Sequence, residues 1–299
     1  MSFSSDIKAE LCKIPIQARA AAVAESYGIL LHAGSFEPGL IRIMSRSEDV
    51  KLRAVRLFKK AFNLDFDYVS EKDEPGLKKL RMEDTVKIEK IYNAFGFETK
   101  DVTVHHINLA VLEREEHKIA FLRGSFLTGG TMTDPDKQFN LSIVCAHRAV
   151  AREMRALLME LGFEPLFSER ATSSANYFRR SELISDFLTT IGAPVAAMRV
   201  LNAKIERDMR NKITRQINCD DANTSKQVEA AERQLDEVRK IFMSPMGESL
   251  SDELHEAAML RFSNPSASIS DLARLAVPPI SKSAMSSRLR RLSELAKKL

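Results

Sequence analysis

The chain has 299 residues, 44% of them hydrophobic and 29% charged, a composition that excludes fibrous and disordered classes. Its three cysteines are far apart and show no metal-ligand spacing, which favours a reducing environment and no metal site. The start, MSFSSDIKAELCKI, has no apolar core, and no run of apolar residues could span a bilayer. We therefore expect a cytoplasmic protein without a membrane segment, and we expect no cofactor.

The first 200 residues contain an internal repeat of about 95 residues. Segments starting at Gly28 and Gly124 both read as the end of an apolar helix, a junction of small residues, a turn, a β-branched strand and an amphipathic helix. Strand-like pieces follow, and each copy closes with a helix before Gly96 or Gly192, because glycine is a common residue at the end of a helix. The pattern per copy is α-β-α-β-β-α, or a close variant with one further strand. The predicted strands are 66–70, 77–81, 165–168 and 176–180, and the closing helices are 85–95 and 181–191.

The amphipathic helix of each copy has an apolar side. In the first copy this side is predicted to consist of Val50, Leu52, Val55, Leu57 and Phe58. In the second copy it is predicted to consist of Val150, Met154, Leu157, Leu158 and Leu161.

A basic, Asn-rich segment follows the repeat. Between Lys204 and Arg215 it carries five basic residues against two acids. It could follow DNA phosphates, dock a linker onto the first domain, or simply be the solvated face of a helix. The candidate contacts are Arg210, Asn211, Lys212, Arg215 and Asn218, and we expect Cys219 to be a small buried residue. Residues 224–243 then predict one charged amphipathic helix.

Three helices are predicted at the end of the chain, over 250–263, 268–276 and 281–297. Ser268 and Ser281 are expected N-caps, and Pro278 and Pro279 break the chain between the last two helices. Residues 281–299 carry six basic residues against one acid. A short helix, a turn and a basic second helix are typical of helix-turn-helix DNA-binding domains. The alternative is a solvated basic helix whose charges complement its own dipole. The predicted contacts with double-stranded DNA are Ser281, Lys282, Ser283, Ser286, Ser287, Arg288, Arg290 and Arg291.

The two repeat junctions resemble the LAGLIDADG homing endonucleases, whose active acids lie at the ends of paired helices. The matching nonapeptides run from Ser26 to Gly34 and from Leu122 to Gly130. The resemblance implies that Gly28 and Gly124 permit close helix packing, and that the metal-binding acids are replaced by Ala33 and Gly129. No catalytic residue is therefore expected. Asp134 and Asp136 follow only the second junction and sit in a turn-like sequence, so they are poor substitutes.

The whole chain resembles the WhiA family through AFLRGSFLTGGTMTDP at residues 120–135, RNKITRQINCDDANTSK at 210–226 and the tail from Asn264 to Leu292. The resemblance implies an α+β fold: a duplicated LAGLIDADG-like α-β-β-α-β-β-α domain over 1–215 (halves about 15–100 and 115–200), a helical linker over 216–247 and a helix-turn-helix domain over 248–299. It implies a DNA-binding transcription regulator, associated with the nucleoid and tied to cell division, chromosome segregation and, in actinobacteria, sporulation.

Two alternatives stay open for function. The nearly neutral first domain could be an adaptor for division or transcription proteins, or its sheets could add a second DNA surface through Arg42, Arg46, Arg179 and Arg180. The other alternative is a residual metal-dependent endonuclease. His105, His106 and His117 lack a carboxylate partner at metal spacing, so structural or surface roles are expected for them.

Overall fold

The structure, a computed structural model, describes residues 2–71, 76–97 and 105–299. The chain divides into two units, Met1–Arg207 and Asp208–Leu299. The longest helix, α8 (Pro194–Phe242), contributes its first residues to the first unit and the remainder to the second. The domain boundaries predicted at 215/216 and 247/248 stay predictions.

The first unit contains the predicted duplication, and each copy carries one strand more than the repeat pattern resolved. The first copy consists of α2 (Arg19–Leu31), β1 (Ser35–Glu37), β2 (Leu40–Ser45), α3 (Glu48–Phe62), β3 (Tyr68–Val69), β4 (Lys78–Met82) and α4 (Thr85–Ala94), preceded by α1 (Phe3–Cys12). The second consists of α5 (Glu115–Gly129), β5 (Gly130–Met132), β6 (Leu141–Cys145), α6 (Arg148–Glu160), β7 (Leu166–Glu169), β8 (Ser174–Phe178) and α7 (Ser181–Ile191). The α-β-β-α-β-β-α prediction is confirmed.

Each copy forms a four-stranded antiparallel sheet, with orders β1-β2-β4-β3 and β5-β6-β8-β7. Ile43 pairs with Leu80 in the first sheet, and Ile143 pairs with Asn176 at the matching place in the second. All four are buried, because alternate residues of a strand face the core. The neighbouring residues, such as Met44 and Val144, are exposed on the opposite face of each sheet.

Helices α2 and α5 cross at their glycines. A Cβ atom on Gly28 would lie 2.1 Å from the carbonyl oxygen of Phe121, and one on Gly124 would lie 2.0 Å from that of Glu25. Each glycine therefore faces the carbonyl three residues before the other glycine. This reciprocal contact confirms the close helix packing expected of the two glycines.

A buried ion cluster joins elements on both sides of this crossing. The guanidinium of Arg53 on α3 donates to the Glu25 carboxylate at 2.5 and 2.9 Å, and its Nη1 donates to the Ile14 carbonyl at 2.7 Å. Arg123 on α5 approaches the same carboxylate at 3.4 Å and donates to the Ile191 carbonyl at 2.7 Å. Because Glu25 and Arg53 are both almost fully buried, neither charge has water as a substitute partner.

The second unit is helical. After α8 come a 3-10 turn (Pro245–Ser249), α9 (Asp252–Ser263), α10 (Ile269–Leu275) and α11 (Lys282–Ala296). Its core joins Val238 and Ile241 of α8 to Ala257, Leu272 and Leu289 of the three later helices. The three predicted terminal helices are therefore confirmed to within two residues at each end.

Two sequence predictions about individual residues are wrong, and one predicted strand is shifted. Leu52 is 46% exposed and does not belong to the apolar side of α3, whereas the charged Arg53 is buried because Glu25 neutralises it. Cys219 is exposed on α8, while Cys12 and Cys145 are the buried thiols. The strand predicted at 176–180 begins and ends two residues earlier, since the Ser181 helix requires Arg180 as its cap.

Candidate nucleic-acid interface

Serine side chains start both helices of the predicted helix-turn-helix. The Ser268 hydroxyl accepts from the Asp271 N–H at 3.2 Å, and the Ser281 hydroxyl accepts from the Ala284 N–H at 3.2 Å. Each satisfies a donor that the first turn of a helix otherwise leaves without a partner. The Ile280 N–H donates back to the Ala273 carbonyl at 3.0 Å and closes the turn between the helices. The two predicted N-caps are confirmed.

Helix α11 buries one side and leaves the other in solvent. Met285, Leu289 and Leu292 are each at most 2% exposed, at the three- and four-residue spacing of one helix face. Of the predicted DNA contacts, the exposed ones are Ser281, Lys282, Ser283, Ser286, Arg290 and Arg291, and Ser287 is half-buried. The N-terminal half of α11 thus presents hydroxyl groups, and the cationic side chains lie before and after them.

Arg288 differs from the other predicted contacts because its charge is already paired. Its guanidinium donates to the Glu256 carboxylate at 2.9 Å and lies 3.8 Å from Glu253, both on α9. Glu256 also accepts from the Val277 N–H at 2.8 Å. With 16% of its side chain exposed, Arg288 ties α11 and the turn to α9. Sequence reasoning missed this partner because 32 residues separate the two side chains and no helical spacing relates them.

Arg290 has a weaker partner. Its Nε lies 4.0 Å from the Glu294 carboxylate one helical turn on, and both side chains are largely exposed. Such surface pairs contribute little and are easily exchanged for another anion. Arg290 is therefore available to a phosphate in a way that Arg288 is not.

The basic, Asn-rich segment lies on α8. Arg210, Asn211, Lys212, Arg215 and Asn218 are all exposed along this helix. A helical backbone spreads them around the helix axis, so they do not form a single flat patch. Their predicted contact with DNA or with a linker stays a prediction.

At the end of α5, the position of one missing acid has no room for a side chain. A Cβ on Gly129 would lie 2.4 Å from the Val144 carbonyl oxygen and 2.9 Å from the His32 ring. His32 Nδ1 lies 3.0 Å from the Gly28 carbonyl, and the Cys145 thiol lies 3.4 Å from the Leu31 carbonyl. The space at this junction is occupied by an imidazole and a thiol.

Burial lowers the pKa of three histidines near this junction, His32, His105 and His147. Burial lowers the pKa of His32 to about 4, and the Gly28 carbonyl only partly opposes this effect. Burial, followed by the neighbouring His147, lowers the pKa of His105 to about 4. The His105 and His147 rings lie 4.3 Å apart. Within the described ranges, no group of three or more His, Cys, Asp or Glu side chains has metal-binding geometry.

The other predicted residues of the first unit make contacts of their own. Asp134 lies 4.0 Å from Arg199, and the carbonyl of the neighbouring Pro135 accepts from Arg207 at 3.1 Å, so the turn is held by the start of α8. His106 pairs with Glu153 at 2.7 Å near the surface. Of the arginines considered for a second DNA surface, Arg46, Arg179 and Arg180 follow strand ends and are exposed, whereas Arg42 lies within β2 and is half-buried.

These features define a two-part protein, with a LAGLIDADG-like α+β domain followed by a helix-turn-helix domain. Two family models match in this order, the WhiA LAGLIDADG-like domain over residues 118–210 and the WhiA C-terminal HTH domain over residues 213–296. The chain belongs to the WhiA family.

Full-length relatives support this membership. The chain is 32% identical to the probable cell division protein WhiA of Staphylococcus carnosus and 31% identical to that of Staphylococcus haemolyticus, with 100% of this chain and 98% of each relative covered. The crystal structure of full-length DUF199/WhiA from Thermatoga maritima has the same fold, with a TM-score of 0.61, 21% identity, and 100% and 99% of the two chains covered. No described helix is long and apolar enough to cross a membrane.

Proposed function

We propose that this protein is a DNA-binding transcription regulator of cell division and chromosome segregation, and of sporulation where its host forms spores. In this proposal it works at the nucleoid and does not cut DNA. The observation that carries the proposal is the exposed N-terminal half of α11, whose hydroxyl groups lie between cationic side chains. The names of its relatives, probable cell division protein, support the cellular role.

The side chains of α11 take different roles in this proposal. Ser283, Ser286 and Ser287 are short donors and acceptors that reach base edges when the start of the helix enters the major groove. Lys282, Arg290 and Arg291 neutralise phosphates and set the position of the helix. Arg288 is a positioning residue, because its charge is used by Glu256.

A salt series on the full chain tests the DNA contacts. Arg290→Gln with Arg291→Gln is compared with Lys297→Gln with Lys298→Gln, which removes the same charge from the far end of the same segment. Each lost phosphate contact reduces the slope of log affinity against log salt by about 1. We expect a reduction of about 2 for the arginine pair and a much smaller one for the lysine pair, measured by fluorescence anisotropy with duplex DNA. Equal effects of the two pairs would contradict the assignment of α11.

Sequence specificity is tested separately, since phosphate contacts alone do not make a regulator. Selection of duplexes from a random library by the full chain is expected to enrich one sequence. The variant Ser286→Ala with Ser287→Ala, which keeps every charge, is expected to lower the enrichment and leave the salt slope unchanged. Enrichment of no sequence would refute regulation by base readout.

The proposed lack of nuclease activity rests on the crowding at Gly129. A hard divalent cation requires carboxylate oxygens, and a side chain at this position would overlap the Val144 carbonyl. Supercoiled plasmid incubated with the protein and magnesium or manganese is expected to stay supercoiled. Cutting that persists through purification, and that is lost on Asp134→Asn with Asp136→Asn, would revive the nuclease alternative.

An adaptor role for the first unit is the second candidate. The outer face of the second sheet presents Thr131, Val144 and Leu166, which are exposed and uncharged, whereas DNA surfaces are basic. The double variant Arg42→Gln with Arg179→Gln distinguishes an adaptor role of the sheets from a second DNA surface. The adaptor role predicts unchanged DNA affinity and salt slope, and a DNA surface predicts a loss of both.

A further inference from the structure

The second unit contains a pocket next to the start of α11. It has a volume of about 580 Å³ and lies between residues 223–234 of α8, the start of α10 and Lys282. Pockets of 300 to about 1,000 Å³ are the size that accepts small ligands and cofactors. The sequence pattern did not indicate it, because its walls come from segments 12 to 59 residues apart.

All the charged side chains that line the pocket are positive. Lys226, Arg261 and Lys282 line it, and within the described part of the chain none of its lining residues is acidic. Neither lysine is paired with a carboxylate among the described residues. Three cations around one concave space, without a counter-charge, favour an anionic occupant.

Arg261 is the most unusual of the three because it is only 1% exposed. Its Nη1 donates to the carbonyls of Asn264, Pro265 and Ala267, the closest at 2.7 Å, while its Nε is buried without a hydrogen-bond partner. Burial lowers the pKa of this guanidinium, and no nearby carboxylate opposes that effect. A buried positive charge without a counter-ion is costly unless an anion compensates it.

The rest of the lining suits a phosphorylated molecule of nucleotide size. Ser266, Ser270 and Asn223 add hydrogen-bonding groups, and Val228 and Ile269 add apolar surface. The amide oxygen of Gln234 is buried without a donor, so this wall also has an unused acceptor. Cations and hydroxyls suit the phosphate, and the apolar surface with an amide acceptor suits the remainder of the molecule.

We propose that this pocket binds the phosphoryl group of a small phosphorylated ligand, with Lys226 and Lys282 as contacts and Arg261 as a fixed charge behind them. The chemistry is shared by a free phosphorylated molecule and by the DNA backbone. Binding of a free ligand does not depend on the proposed DNA function. Since Lys282 also lies at the start of α11, an occupant here competes with the proposed DNA contact of that residue.

The first arm of the test uses no DNA. Isothermal titration of the full chain with ATP, without magnesium, and with inorganic phosphate is compared for Lys226→Gln with Lys282→Gln and for the matched pair Lys297→Gln with Lys298→Gln. Loss of two charge-assisted contacts is expected to weaken ATP binding at least ~10-fold, and the control pair is expected to change it little. Arg261→Lys, with its fold checked by circular dichroism, is expected to weaken binding as well.

The second arm measures duplex DNA binding by the same variants across a salt series. Weaker ATP binding in the pocket pair supports the site and assigns it to a free ligand. A salt slope that falls by about 2 in the pocket pair and by about 1 in Lys282→Gln alone, without any ATP or phosphate binding, supports the site and assigns the phosphoryl group to the DNA backbone. The proposal is overturned if neither ATP nor phosphate distinguishes the pocket pair from the control pair and the pocket pair lowers the salt slope no more than Lys282→Gln alone.

Discussion

Adding one methyl group at Gly28 or Gly124 is expected to destabilise the first unit by about 2 kcal/mol. The new Cβ of Gly28→Ala would lie 2.1 Å from a backbone carbonyl oxygen, and that of Gly124→Ala 2.0 Å. Real Cβ atoms essentially never come within 3.0 Å of such an atom, so α2 and α5 must separate by roughly 1 Å. We expect about 3 kcal/mol from overpacking, offset by about 1 kcal/mol of better helix propensity.

Tyrosine fluorescence measures this change selectively. All four tyrosines, Tyr27, Tyr68, Tyr92 and Tyr177, lie in the first unit, and the chain has no tryptophan. Urea unfolding followed by tyrosine emission therefore reports the first unit. Gly39→Ala is the control, since a Cβ there meets nothing within 4 Å. It is expected to change the free energy of unfolding by less than about 0.5 kcal/mol.

The double variant separates packing from other causes. Both methyl groups are relieved by the same separation of the two helices, so the double variant should cost clearly less than the sum of the single variants. The reasoning is refuted if Gly28→Ala is no more destabilising than Gly39→Ala, or if the effects of the two glycine substitutions add fully. Either result would mean that the close approach of α2 and α5 does not depend on these glycines.

Three further outcomes are expected. Glu25→Gln should lower the free energy of unfolding of the first unit by about 3–5 kcal/mol, because it leaves the buried Arg53 charge uncompensated; a loss below 1 kcal/mol in the tyrosine-detected transition would contradict this. The His32 pKa of about 4 lies below that of the unfolded chain, so its contribution is present above about pH 6.5 and is lost as the pH falls towards 4. His32→Asn should therefore flatten the dependence of stability on pH in that window, and an unchanged slope would refute it. Arg288→Gln should destabilise the second unit by about 1–3 kcal/mol, measured by circular dichroism, whereas Arg290→Gln should lower only DNA affinity; the reverse result would exchange their roles.

The architecture was predictable from sequence where a local pattern repeats or a cap is present. The 3.6-residue period of α6 and the serine caps at Ser268 and Ser281 depend on residues within a few positions of one another. The first strand of each sheet was not resolved, because Ser35–Glu37 and Gly130–Met132 are three residues long and too short to show alternation.

The candidate sites were less predictable because they depend on partners distant in sequence. From the sequence alone, the charge of Arg288 indicates a DNA contact. In the structure this charge is paired with the Glu256 carboxylate. Lys226 and Lys282 belong to different predicted segments, and only the packing of the helices brings them into one pocket. Likewise, Ala33 and Gly129 indicate missing acids in the sequence, but only the structure shows that neighbouring atoms fill the space around Gly129.

The reciprocal contact of Gly28 and Gly124 has a consequence for how the chain can be divided. Each half presents a glycine and a backbone carbonyl to the other, so recognition between the halves does not require a covalent connection. Two fragments separated between α4 and α5 and produced together are expected to reassemble into one particle. Dividing the chain between α4 and α5 therefore makes assembly of the first unit depend on the presence of both fragments.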